Sequence, residues 1–291
     1  MASLTTPRAL FATARARQCY ERRRDPITRA HARDDPSSST TRREALLLST
    51  LLATTTTTTA TAPAIAALVD AESAQRVFAQ VSTAIVAIAE VKPSGEVVSR
   101  GSGVAWSTSA DACYIATNAH CIASSTGSGK SSAGTLCLYF NDGSKNGVSV
   151  PLTGKSEYYV DGGRDVGFIR VDAEDFPKDF IPPKAASFGT SKGLVVGQGV
   201  FALGCAQDMT PTLHGGVISG LGRRVPSKRG GNLAGLIQTD AVVSESTSGG
   251  ALCDSGGRVI GLLVTSYGTT KVNGVNFAIP IDVARLVADS M

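Results

Sequence analysis

Gln238-Thr239-Asp240-Ala241-Val242-Val243-Ser244-Glu245-Ser246-Thr247-Ser248-Gly249-Gly250-Ala251-Leu252 leads, after six further residues, into the apolar run Val259-Ile260-Gly261-Leu262-Leu263-Val264. One serine, Ser248, stands between a polar turn and two glycines, with a strand expected on either side. A serine hydroxyl is a weak nucleophile. It becomes useful when a turn exposes it, a base takes its proton and backbone N–H groups face the developing oxyanion. Gly249 and Gly250 remove side chains where a substrate backbone has to approach. The remainder of the chain is therefore read for a base, an orienting acid and a scaffold to hold them.

The composition is that of a globular protein, light in aromatics (5%) and rich in turn residues, with 31 Gly and 12 Pro among 291 residues. The charge is uneven. Residues 1–66 hold ten Arg, no Lys and five acids, whereas the whole chain is only +4. The basic balance thus belongs to the leader and gives no reason to expect a nucleic-acid partner.

That leader reads as two signals in series. Residues 1–40 are rich in Arg, Ala, Ser and Thr and poor in acids, as in a chloroplast transit peptide. Residues 41–66 follow with Arg42-Arg43, a short apolar core from Ala45 to Ala53, a threonine run and an Ala62-Pro63-Ala64 end, the order of a twin-arginine export signal. The apolar core is too short for a membrane span, so no stable span is expected. Together the two signals point to the thylakoid lumen. The mature chain is then 67–291, with five cysteines, Cys113, Cys121, Cys137, Cys205 and Cys253. Their spacing lacks the paired pattern of a zinc site, and no metal or other cofactor is expected. Most read as small buried hydrophobes, with one or two disulfides as the alternative.

Within 67–291 the apolar alternation predicts many short strands. One group falls at 84–88, 101–106, 113–117, 136–140 (closed by the turn Asn141-Asp142-Gly143), 148–150, 157–160 and 166–171; a second at 199–203, 215–219, 236–239, 251–252, 259–264 and 274–278. Helical spacing is confined to 71–80 and 280–287. Short strands with glycine turns and helices only at the ends argue an all-β fold, a double barrel or sandwich. The boundary loop falls near 172–190, giving lobes of about 84–172 and 190–280.

Two histidines lie in the mature chain. His120 ends an apolar strand, where its ring can face a cleft; His214 sits at a strand start and is the weaker candidate. The base needs an acid on its far nitrogen to fix the tautomer. Asp165, just before an apolar strand, is better placed than Asp161 or Asp172. The order His120, Asp165, Ser248 is that of chymotrypsin-like enzymes, with base and acid on the first strand group and nucleophile on the second. A cleft between two lobes follows. Gly127-Ser128-Gly129-Lys130-Ser131 looks like a phosphate loop but has Ser124 where the first glycine is required. The basic cluster Arg223-Arg224 with Lys228-Arg229 reads as a solvated loop.

Thr117-Asn118-Ala119-His120, Asp165-Val166-Gly167-Phe168-Ile169, Gly215-Gly216-Val217-Ile218-Ser219-Gly220-Leu221-Gly222-Arg223, Gln238-Thr239-Asp240-Ala241, Ser248-Gly249-Gly250 and Val275-Asn276-Phe277-Ala278-Ile279-Pro280-Ile281-Asp282 resemble, as an ordered set over about residues 72–291, the Deg/HtrA (protease Do-like) serine proteases. The resemblance implies a trypsin-like double β-barrel and an ATP-independent endopeptidase that degrades damaged or unfolded proteins. It also implies a trimer, or a mixed oligomer with a PDZ-bearing partner, because the resemblance ends with the protease domain. Family members usually carry a PDZ domain, and the lumenal PDZ-less branch is the one this chain looks most like.

The departures from the family pattern are local. The family's Gly-Asn-Ser-Gly-Gly-Pro is here Ser246-Thr247-Ser248-Gly249-Gly250-Ala251, so Ser246 replaces a glycine whose N–H helps form the oxyanion hole. Leu203-Gly204-Cys205-Ala206-Gln207 departs from Gly-Asn-Pro in the same way. The expected hole comprises the N–H groups of Ser246, Thr247 and Ser248. The expected pocket wall includes Leu263, Val264 and Thr265, favouring small or medium apolar side chains. The alternative to an active enzyme is a weak or inactive protease-fold subunit that assembles with, or binds substrates for, a PDZ-bearing relative.

Overall fold

A computed structural model describes residues 69–291, apart from 124–133, 142–146, 153–155, 207–209, 228–230 and 266–273. The leader, the Gly127–Ser131 segment, the tip of the Asn141-Asp142-Gly143 turn and Lys228-Arg229 lie outside the described residues. Helix α1 (Ala71–Val81) opens the described chain. Asp70 caps it, its carboxylate accepting from the Ser73 N–H at 2.7 Å. Val77 and Val81 are buried from its inner face, four residues apart on one side of a helix.

Seven strands then form the first lobe: β1 (Ile85–Val91), β2 (Val97–Thr108), β3 (Ala112–Thr117), β4 (Thr135–Phe140), β5 (Val148–Pro151), β6 (Glu157–Asp161) and β7 (Val166–Asp172). They make one antiparallel sheet in the order β5-β4-β1-β2-β3-β7-β6. Its own core includes Ile88, Ile115, Ile122, Leu138, Phe140 and Ile169. Six more strands follow: β8 (Gly199–Cys205), β9 (Pro211–Pro226), β10 (Asn232–Thr239), β11 (Ala251–Asp254), β12 (Val259–Val264) and β13 (Asn276–Pro280). These close into a barrel, β10-β13-β12-β11-β8-β9. Val200, Ala202, Ile218, Ile237, Leu252, Ile260 and Leu263 fill it. A short helix, α2 (Ala119–Ala123), follows β3, and α3 (Ile281–Ala288) ends the chain.

The largest apolar cluster belongs to neither lobe alone. It joins Ile85, Val104, Val166 and Phe168 of the first sheet to Phe201, Leu203, Leu262 and Ile279 of the barrel, with α1 and α3 packed on. The connection between lobes is pinned to this seam. Ala186 N–H donates to Ala105 O at 2.9 Å, and Phe188 bridges to Val259. Trp106 packs edge-on against Phe168, ring centres 5.3 Å apart, and lies 4.4 Å from the ring of Phe188. The all-β expectation is met by two lobes of strands with short terminal helices.

Strand β9 is longer than the pattern at 215–219 suggests. It runs sixteen residues and serves two partners in turn, β8 from Pro211 to Val217 and β10 from Ile218 to Pro226. Its half-exposed, glycine-rich middle hides the continuity, because the alternation that marks a strand needs one face steadily buried. The five cysteines among the described residues are all buried. Burial pushes the thiol of Cys137 up to about 11 and raises those of Cys113 and Cys253, so these three stay un-ionised at neutral pH.

Candidate active site

The site forms where the middle of β2, the end of β3 and the start of β7 meet the turn between β10 and β11. Asp165 immediately precedes β7 and has φ of 55°, the one non-glycine residue with positive φ among the described residues. Aspartate tolerates this left-handed conformation better than most side chains. The twist aims both its carboxylate and its carbonyl at the chain around His120. The carbonyl accepts from Ala119 N–H at 3.1 Å and from Asn118 Nδ2 at 3.2 Å. One carboxylate oxygen accepts from the His120 backbone N–H at 3.0 Å; the other lies 2.8 Å from His120 Nδ1. Gly167 lets α2 come this close, since a Cβ there would sit 2.6 Å from Ile122 Cδ1.

This arrangement sets the chemistry of the ring. Burial opposes a charged imidazole, but the hydrogen bond with Asp165, aided by the adjacent Cys121, overrides it and pushes the His120 pKa up to about 9. The base form of the ring therefore grows in as pH rises. The rival residues are engaged elsewhere. His214 is exposed on β9, paired in register with Ala202 of β8. Asp161 holds Arg164 at 2.6 Å and Asp172 holds Arg170 at 2.7 Å.

Ser248 arrives from the other lobe. Gly249, at φ 85°, makes the approach possible: a Cβ there would lie 2.3 Å from Ser102 O and 2.4 Å from Thr117 Oγ1. Ser102 clamps the turn from the first lobe. Its N–H donates to Ser248 O at 2.7 Å and its hydroxyl to Ser246 O at 2.7 Å. The Ser102 hydroxyl in turn accepts from Cys205 N–H at 2.8 Å. Ser248 itself is fully buried. Its hydroxyl donates to Asn118 Oδ1 at 3.1 Å and accepts from Thr265 N–H at 3.3 Å. A hydroxyl has one hydrogen to give, and here it goes to Asn118 rather than to His120.

Two of the three expected oxyanion donors, the N–H groups of Thr247 and Ser248, are turned inward. Residues 244–248 form a tight turn in which Thr247 N–H donates to Ser244 O at 3.2 Å and Ser248 N–H to Glu245 O at 3.3 Å. Side chains reinforce it. Ser244 Oγ and Ser246 Oγ are 2.9 Å apart, and Thr247 Oγ1 accepts from Ser244 N–H at 2.9 Å. Ser246 does not take positive φ. Both N–H contacts lie at the long end for such bonds, so they are weak ones to exchange. Of the expected pocket wall, Thr265 reaches Ser248 through its N–H. The side chains of Leu263 and Val264 are instead buried in apolar cores, and Leu263 touches the site through its carbonyl, which accepts from Gly249 N–H at 2.7 Å.

Two residues central to this geometry carry no role in the sequence reading: Asn118 and Ser102. Each is a small, buried polar residue of the first lobe, Ser102 within β2 and Asn118 just after β3, and each bonds to the second lobe. Only that cross-lobe placement reveals them. Among the described residues, no three His, Cys, Asp or Glu side chains converge as a metal site.

The comparisons with known proteins agree with this layout. The model of the trypsin-like peptidase domain matches residues 101–262. Protease Do-like 5, chloroplastic, of Arabidopsis thaliana is 40% identical over 126 residues, 42% of this chain and 38% of that protein. Protease Do-like 8, chloroplastic, from the same plant is 36% identical over 163 residues, 55% and 34% of the two chains. The putative serine protease HhoB of Synechocystis is 31% identical over 207 residues, 69% and 43%. The chain thus spans less than half the length of these curated relatives. Among solved structures, the crystal structure of Deg5 superposes with a TM-score of 0.55 at 29% identity, covering 74% of this chain and 91% of that one. The HtrA-type protease AlgW with a tripeptide, at 24% identity and TM-score 0.56, shares the fold, covering 74% and 62%. The matched region takes in more than half of the chain and runs from the Ser102 clamp into β12, and on that evidence the chain belongs to the trypsin-like peptidase family, among relatives of the Deg/HtrA type.

Proposed function

We propose that the chain is a serine endopeptidase that degrades damaged or unfolded proteins in the thylakoid lumen. The observation that carries this reading is the His120–Asp165 pair, 2.8 Å apart with Asp165 buried, and beside it Asn118, which takes the hydroxyl of Ser248 from the other lobe. In the reaction Ser248 Oγ attacks the scissile carbonyl and passes its proton to His120 Nε2. Asp165 fixes the Nδ1–H tautomer and stabilises the imidazolium that forms. His120 then protonates the leaving amine, and water releases the acyl group by the same route in reverse. The oxyanion is held once the turn at residues 244–248 releases the N–H of Ser248 and presents that of Ser246. The relatives whose names include "chloroplastic" favour the organelle; the Arg42-Arg43 signal after an acid-poor leader favours the lumen. A homo-oligomer, or an assembly with a PDZ-bearing relative, is the proposed setting in which the turn is rearranged.

A second reading has its own support. With the Ser248 hydroxyl held by Asn118 and two N–H groups closed into their own turn, a weakly active subunit that binds or presents substrates is the rival. One experiment separates them. Protein spanning residues 67–291 and its Ser248→Ala variant are treated with a fluorophosphonate probe and assayed on casein, alone and with a PDZ-bearing relative. The proposal expects labelling and casein cleavage that vanish in Ser248→Ala. Absence of labelling in every condition would sink it in favour of the subunit reading. For the address, import into isolated thylakoids is expected to stop when Arg42-Arg43 become Lys-Lys.

A further inference from the structure

We propose that Asn118 is a positioning residue that holds the Ser248 hydroxyl off line from His120, so that reaction requires the hydroxyl to change acceptor from the Asn118 amide to the imidazole. The inference rests on the endopeptidase reading above and adds to it a residue that governs when the nucleophile is available.

Three observations carry it. First, Asn118 and Ser248 are both fully buried, so water cannot replace the bond between them at no cost. Second, the orientation of the amide is fixed by its other end. Nδ2 donates to Asp165 O at 3.2 Å, a carbonyl that only a donor can face, which leaves Oδ1 toward Ser248 Oγ at 3.1 Å. Third, the hydroxyl is saturated in this state, giving its hydrogen to Asn118 and accepting one from Thr265 N–H. Asn118 thus links the acid's backbone on one lobe to the nucleophile on the other, and lies two residues before the base. The contact is a neutral hydrogen bond at ordinary length, strong enough to set the resting state and weak enough to be exchanged when substrate reorders the turn.

The test uses the two ends of the amide. Asn118→Ala removes donor and acceptor; Asn118→Asp removes the donor toward Asp165 but keeps, and strengthens by charge, the acceptor toward Ser248. Fluorophosphonate labelling rates are measured for wild type and both variants across pH, with thermal melts to establish folding. Asn118→Ala is expected to label about fivefold faster than wild type, the scale of one neutral hydrogen bond, and Asn118→Asp more slowly than wild type. The alkaline midpoint of the Asn118→Ala profile is expected to stay where wild type has it, because the His120–Asp165 pair is untouched. If both variants slow together, Asn118 serves only to brace Asp165 and the proposal is overturned. It is equally overturned if wild type labels and Asn118→Ala is no faster, with the endopeptidase reading intact. Labelling of Asn118→Ala when wild type is silent would support both. Silence in all three folded proteins would remove the endopeptidase reading and this inference with it. Should Asn118→Ala not fold, Asn118→Ser is read in the same way, because its shorter side chain keeps a polar group but falls short of Ser248 Oγ.

Discussion

The two halves of the site are built to different tolerances. On the first lobe, Asp165 makes four contacts of 2.8–3.2 Å to three consecutive residues, Asn118, Ala119 and His120, from a conformation that few residues other than glycine adopt. On the second lobe, the nucleophile turn closes its N–H groups on its own carbonyls at 3.2 and 3.3 Å, and its serine hydroxyl points to an amide. The His120–Asp165 half is already paired in this structure. The nucleophile half is held in place by Ser102 and Gly249 but leaves its internal hydrogen bonds to be exchanged. The one non-glycine residue at positive φ among the described residues, Asp165, belongs to the first half, where such strain serves preorganisation.

The largest expected way to break this contrast is Asp165→Asn on the rigid half. Removing the charge and favouring the wrong tautomer should cost about 10⁴ in acylation rate, measured with a chromogenic ester or the fluorophosphonate probe. The same change should erase a pH signature. The folded His120 pKa is raised to about 9 from 6.5, so the bond's contribution to stability is complete below pH 6.5 and fades as pH rises through 9. Denaturant titrations at intervals over that window should show the decline in wild type and a flatter profile in Asp165→Asn. Over the same window the wild-type acylation rate should rise with pH, as the ring loses its proton.

A smaller but still large effect is expected at the join between the halves. Gly249→Ala places a Cβ against Ser102 O and Thr117 Oγ1 at a positive φ. It should cost about 2–4 kcal/mol of stability by thermal or chemical unfolding, and with it the register of Ser248. The mildest change sharpens the second half. Ser246→Gly removes the hydroxyl that meets Ser244 Oγ and restores freedom at positive φ. Acylation is expected to rise about tenfold, a part of the 10²–10³ that one oxyanion donor is worth. A fall in rate would mean that the serine hydroxyl supports the reactive turn rather than the resting one.

The rigid half was legible in the sequence because its determinants are local. His120 follows an apolar strand, Asp165 precedes one, and strand periodicity is a direct consequence of burying one face. The same logic found most strand centres while missing extensions such as Val97–Arg100 and the full length of β9, whose half-exposed residues break the alternation. The second half was less legible. Ser248 and Gly249 stand out as residue types, but the direction of a peptide N–H is not written in any side chain. Ser246 marked the place to look without saying which way the turn faces. Asn118 sat inside a quoted motif with no role, because its acceptor faces a residue 130 positions away. Leu263 and Val264, expected in the pocket wall, lie on β12, where alternation sends the two side chains into different cores and leaves the backbone at the site.

Trp106 is the chain's single tryptophan. Its ring lies against Phe168 of one lobe and Phe188 of the connecting segment. Intrinsic fluorescence excited at the red edge of the indole band is therefore a signal from one place, the line along which the halves of the site are brought together. A change in that emission on adding peptide or partner would report movement at the seam without any label.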